Sequence, residues 1–127
     1  MEDDTVIQKI LKKIGKNVSF TYPGNEKGKE GLLRDRVVMP SNLGPKGIPY
    51  WDVVDLIEFP EEAELEWIRI GYYRMKQGER LRWGSQTTIT EPIGVWKKLF
   101  VQAASEKPWF KKLLDDVMKE LQENATA

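Results

Sequence analysis

The chain has 127 residues, 40% of them hydrophobic and 31% charged, with 20 basic side chains balanced by 20 acidic ones. That is enough apolar material for a single domain spanning residues 1–127, and no global charge points to a nucleic acid or a membrane surface. With neither Cys nor His in the chain, disulfides, zinc fingers, iron–sulfur clusters, thiolate nucleophiles and His-based relays are excluded.

The first element is predicted to be a helix, because Val6, Ile7, Ile10, Leu11 and Ile14 recur at the spacing of one helical stripe. Asp3, Asp4 and Thr5 suit its start, Lys12, Lys13 and Lys16 its C-terminal dipole, and Gly15 its left-handed stop. Strand candidates follow at Val18–Tyr22 and Leu32–Met39, separated by a polar loop from Pro23 to Gly31. A second loop, Pro40–Pro49, leads to a third strand over Tyr50–Phe59, which the acidic segment Pro60–Glu64 closes.

Residues 65–90 are predicted to form a hairpin turning at Gln77-Gly78. A two-residue loop places Tyr72 opposite Trp83, Ile70 opposite Ser85 and Ile68 opposite Thr87; this more apolar set is assigned to the core. On the other face it pairs Tyr73 with Arg82, Gly71 with Gly84, Arg69 with Gln86 and Trp67 with Thr88. A three-residue loop would shift that register by one. Two C-terminal helices are expected. One is capped near Thr90 or Glu91 and buries Ile93, Trp96, Leu99, Phe100 and Ala103. The other follows Ser105 with a stripe from Trp109 or Phe110 through Leu113, Leu114 and Val117 to Leu121. The pattern implies an α+β fold: a bent antiparallel sheet of about five strands, curving toward a partial barrel, with one N-terminal and two C-terminal helices.

Three features bear on chemistry. Gly28-Lys29 suggests a phosphate loop, but the glycine spacing is wrong, Glu30 stands where a hydroxyl is needed and no helix follows, so that motif is rejected. Asp55 falls on the apolar side of its strand with Trp51, Val53, Ile57 and Phe59. An ion pair to Arg34 or Arg36 is the structural explanation and a general acid or base the functional one. The second hairpin face is the candidate binding site: Gly71 and Gly84 leave a dent flanked by Trp67 and Tyr73 and fringed by Arg69, Arg82 and Gln86, suited to stacked bases and phosphates. The structural alternative is a helix packed over the glycines. The stretch Asp52–Glu66 carries seven acidic residues and no basic one, which would repel a polyanion.

Without a metal-ligand spacing or an intact nucleotide motif, the expectation is a small soluble non-catalytic binding or protein-interaction module, with no cofactor and no metal. One alternative is single-stranded nucleic acid binding through the hairpin face, and another is a carboxylate-based hydrolase. Expected partners are an unknown protein or a second copy of the chain, with nucleic acid secondary and no membrane. No apolar run approaches the length of a membrane span and the N-terminus is acidic where a signal peptide is basic, so a cytoplasmic location is expected.

Overall fold

The apolar stripe at the N-terminus folds as helix α1 (Glu2–Leu11). The computed structural model describes residues 2–22, 25–41, 49–75, 80–84 and 89–126. After α1, turns carry the chain to Gly15, which adopts φ +92°. Its N–H donates to the Leu33 carbonyl at 2.7 Å, and the Leu33 N–H donates back to Lys16 at 3.0 Å. The turns after α1 are therefore stitched to the sheet by backbone hydrogen bonds, with glycine at their left-handed position.

Five strands follow in chain order, β1 (Asn17–Tyr22), β2 (Asn25–Ser41), β3 (Tyr50–Glu58), β4 (Glu66–Arg74) and β5 (Arg82–Trp83). Each pairs antiparallel with the next, forming one curled half-barrel sheet of order β1-β2-β3-β4-β5. With α1 and two C-terminal helices this is the α+β architecture expected from the sequence. The segment expected to be a loop from Pro23 to Gly31 is a correction. Residues 25–31 are strand, with Tyr22 paired to Asn25, while Pro23 and Gly24 lie outside the described residues. Polar, glycine-containing sequence forms strand here because Val18, Ser19 and Phe20 pair with Gly31, Glu30 and Lys29. Gly31 is required by close approach, since an added Cβ would lie 2.7 Å from the Phe59 ring.

A bulge in β2 sets which side chains reach the core. Leu33 pairs with Ile57 and Asp35 with Leu56, leaving Arg34 as the extra residue. Beyond it the alternation of β2 is inverted, so Arg36 rather than Arg34 joins Leu33 on the inner face. On that face Val6, Ile10, Trp51, Val53 and Tyr73 form one buried cluster, and Leu33, Ile57 and Phe59 form another. β3 is sealed on both faces, with Trp51, Asp52, Val53, Val54, Asp55 and Ile57 all at 2% exposure or less.

The hairpin register is the second correction. Trp83 pairs with Tyr73, not Tyr72, and Arg82 pairs with Arg74. The one-residue shift turns β5 over relative to β4 and exchanges the faces. Tyr73 is 5% exposed and belongs to the core, whereas Ile68, assigned inward on the sequence, is 39% exposed. β5 spans only Arg82–Trp83, shorter than expected.

By contacts the chain divides into a unit over Met1–Ile89 and a unit over Thr90–Ala127. The second unit holds α2 (Ile93–Glu106) and α3 (Pro108–Thr126). Lys107 breaks the helix with extended backbone while its N–H still donates to the Ala103 carbonyl. The two helices share an aromatic seam in which Phe100 meets Phe110 edge to face at 5.4 Å and Trp96 at 5.9 Å. Leu99, Ala103 and Phe110 are buried, while Leu113, Val117 and Leu121 are exposed.

Candidate functional site: a cationic cleft between α1 and the sheet

The pairing of β2, β3 and β4 sets Arg36, Asp55 and Arg69 in one row across three strands. Asp55 is fully buried and accepts from both guanidiniums. Arg36 donates through Nε at 2.6 Å and Nη2 at 3.0 Å. Arg69 donates through Nη2 at 2.9 Å and Nε at 3.2 Å. The remaining face of Arg36 holds the helix, with Nη1 donating at 3.0 Å to both the Ile10 carbonyl and the Tyr73 hydroxyl. Burial alone would lower the pKa of Arg36, but the Asp55 hydrogen bonds and charge, with a contribution from Tyr73, leave it raised. Arg34 instead faces Glu58 at 3.4 Å near the surface, as its bulge position dictates.

One carboxylate thus serves two guanidiniums. The surplus charge lies at the base of a cleft of about 630 Å³ between α1 and the inner face of the sheet. Its cationic lining is Lys9, Lys12, Lys13, Lys16, Arg36 and Arg69, with Tyr73 and Trp83 on the sheet side, and no described acidic side chain lines it. Lys9 stands in the last turn of α1 and Lys12, Lys13 and Lys16 in the turns that follow it, and all four line the cleft. The hydrogen bonds from Gly15 and Leu33 hold that row over the sheet.

Trp83 completes the wall. The Arg69 guanidinium lies 4.5 Å from its ring centroid, and Tyr73 meets it edge to face at 5.0 Å. The ring occupies the space over Gly71, where an added Cβ would fall 2.1 Å from Trp83 Cη2. Gly84 lies beneath Tyr72 instead, and its N–H donates to the Tyr72 carbonyl at 2.9 Å.

The sequence-predicted site is therefore only partly assembled. Arg69 and Tyr73 line the cleft, and Gly71 lies under its tryptophan. Gly71 and Gly84 do not face each other, so the shared dent does not exist; the register shift places them under different rings. Trp67 packs on Phe59 at 5.2 Å and donates through Nε1 to the Glu64 carbonyl at 2.8 Å, closing the acidic connection. Arg82 is exposed opposite Arg74, and neither lines the cleft. Gln86 lies outside the described residues. The residues missed on the sequence are Lys9, Lys12, Lys13, Lys16, Arg36 and Trp83. For the lysines the visible signal was their recurrence at positions 9, 12, 13 and 16.

Asp55 does not suit acid–base chemistry here, because both oxygens are occupied by guanidinium donors and no surface of it is exposed. Among the described residues no group of three acidic side chains could hold a metal ion, and no helix is long and apolar enough to cross a membrane. No family model, curated protein or solved structure matches this chain.

Proposed function

We propose that the chain is a non-catalytic binding module whose ligand is a phosphate-bearing anion seated in the α1–sheet cleft. The observation that carries this reading is charge segregation. A chain of zero net charge gathers six cations around one cleft whose described lining includes no carboxylate. Arg36 and Arg69 are held by Asp55 at the base, while the four exposed lysines can swing onto a bound anion. The volume falls in the usual range for ligand clefts, roughly 300–1,000 Å³. The test is calorimetric titration with inorganic tripolyphosphate at low ionic strength. Binding that weakens as salt rises, and that drops at least tenfold in the Lys12→Glu/Lys13→Glu chain, supports the reading. Absence of binding, or binding indifferent to the charge reversal, removes it.

A second reading, self-association of the chain, is favoured by α3. Leu113, Val117 and Leu121 lie 41%, 45% and 58% exposed at successive i, i+4 positions, forming an apolar stripe. The occupant it fits is the same stripe of a second copy, as in an isologous dimer. Light scattering should give a dimer mass that Val117→Lys reduces to the monomer; a monomeric mass for the unaltered chain overturns it.

A further inference from the structure

Resting on the phosphate-binding reading, we infer that the ligand of the cleft is a single strand of nucleic acid, its phosphates along the lysine row and a base on the Arg69–Trp83 stack.

The cations are spread along the chain, Lys9 in the last turn of α1 and Lys12, Lys13 and Lys16 in the turns after it, and all four line the cleft. Four such side chains can meet about four phosphates of one strand. A compact phosphate group is ordinarily held by backbone N–H donors at a helix N-terminus. Here the cleft is lined from the C-terminal end of α1 onward, and the Gly15 and Leu33 N–H groups are already spent on the Leu33 and Lys16 carbonyls. That end offers an anion no free helix N–H donors, so attraction must come from side-chain charges spread over the last turn of α1 and the turns after it, which suits a polymer better than a single phosphate.

The aromatic wall separates nucleic acid from an acidic polypeptide. Trp83 is half-buried, lines the cleft and stacks with the Arg69 guanidinium, whose plane is itself a platform for bases. A peptide carboxylate would use the lysines and leave this stack without a partner. A duplex, whose bases are already stacked on one another, would gain only the lysine contacts.

The experiment measures a single-stranded oligothymidylate of about 12 nucleotides by anisotropy and Trp fluorescence. Its duplex, tripolyphosphate and polyglutamate serve as comparison ligands. The single strand is expected to bind tightest and to quench fluorescence. If four phosphate contacts form, the log–log salt slope should be near −3, a loss of about fifty-fold between 50 and 200 mM salt. Trp83→Phe should abolish the quench while keeping the salt slope, and Lys12→Gln/Lys13→Gln should flatten the slope by roughly 0.7 per lysine. The lysine pair is exposed, so that arm decides the matter even if the Trp83 variant fails to fold. Equal binding of duplex or polyglutamate, or a quench that survives Trp83→Phe, overturns the inference. Tripolyphosphate binding without oligonucleotide binding removes the inference but leaves the phosphate-site reading standing; failure of both ligands at low salt removes the two together.

Discussion

At the residue scale, Asp55 carries the most. Removing its carboxylate leaves Arg36, whose side chain is 1% exposed, and Arg69, at 23%, without their shared counter-charge. Asp55→Ala is therefore expected to destabilise by about 3–5 kcal/mol in urea melts, the usual cost of stranding a buried charge. Charge reversal at Arg34, paired only near the surface at 3.4 Å, should cost under about 1 kcal/mol. The pKa of Arg36 is raised. A cation in that position contributes stability that is fully present below its unfolded pKa and is lost only as pH rises through the folded one. The destabilisation by Arg36→Gln should thus be the same at about pH 6 and about pH 9; a marked difference would contradict the assignment. Gly71 makes a second residue-scale case. A Cβ there would meet the Trp83 ring at 2.1 Å, so Gly71→Ala should displace the ring and cost about 1–3 kcal/mol. The same substitution made in a Trp83→Ala chain should cost much less. A double-mutant cycle with no coupling would show that the ring does not rest there.

At the element scale, the strands that could be read from the sequence were those rich in β-branched, aromatic and other apolar residues. β3 is the plainest, its Trp51-to-Ile57 stretch buried on both faces. Gly15, expected to stop α1, instead lies in the turns that follow the helix end at Leu11, at a φ of +92° that only glycine takes without strain. Gly15→Ala, with open space around the new Cβ, should isolate that backbone term at about 1–2 kcal/mol by urea melt. What could not be read was parity. One extra residue at Arg34 decides which arginine reaches Asp55, and a one-residue difference in the β4–β5 pairing decides which hairpin face is buried. Period-two patterns carry no information about where the count slips, and Arg34-Asp35-Arg36 offers two equivalent cations on either side of the slip. The site was dispersed for the same reason. Arg69 and Tyr73 were placed together on one face of β4, but that face was expected to be the open one and Tyr73 is buried in the core, and the partner for Gly71 came out as Trp83 rather than Gly84. Lys12, Lys13 and Lys16 were read only as charges suited to a helix C-terminus, which gives lysines an ordinary reason to be there. Only the hydrogen bonds of Gly15 and Leu33 show that the row overhangs a cleft.

At the scale of the whole molecule, what matters is how a net charge of zero is distributed. In the last turn of α1 and the turns after it, Lys9, Lys12, Lys13 and Lys16 are gathered around one cleft, and like charges held close together repel. If the lysines were present to offset the helix dipole, neutralising them would weaken the fold by a few tenths of a kcal/mol each. If they are gathered for a ligand, the unliganded chain carries their repulsion, together with that of Arg36 and Arg69 across the cleft. Replacing Lys9, Lys12, Lys13 and Lys16 singly by Gln should then raise stability by about 0.2–0.5 kcal/mol each at low salt. The gain should disappear near 1 M salt, where the screening length falls to about 3 Å. The same substitutions should weaken anion binding, the opposition of stability and function expected where a surface is shaped for a partner. Urea midpoints at low and high salt distinguish the two roles by sign: destabilisation at low salt returns the lysines to the helix, and stabilisation that salt removes places them with the ligand.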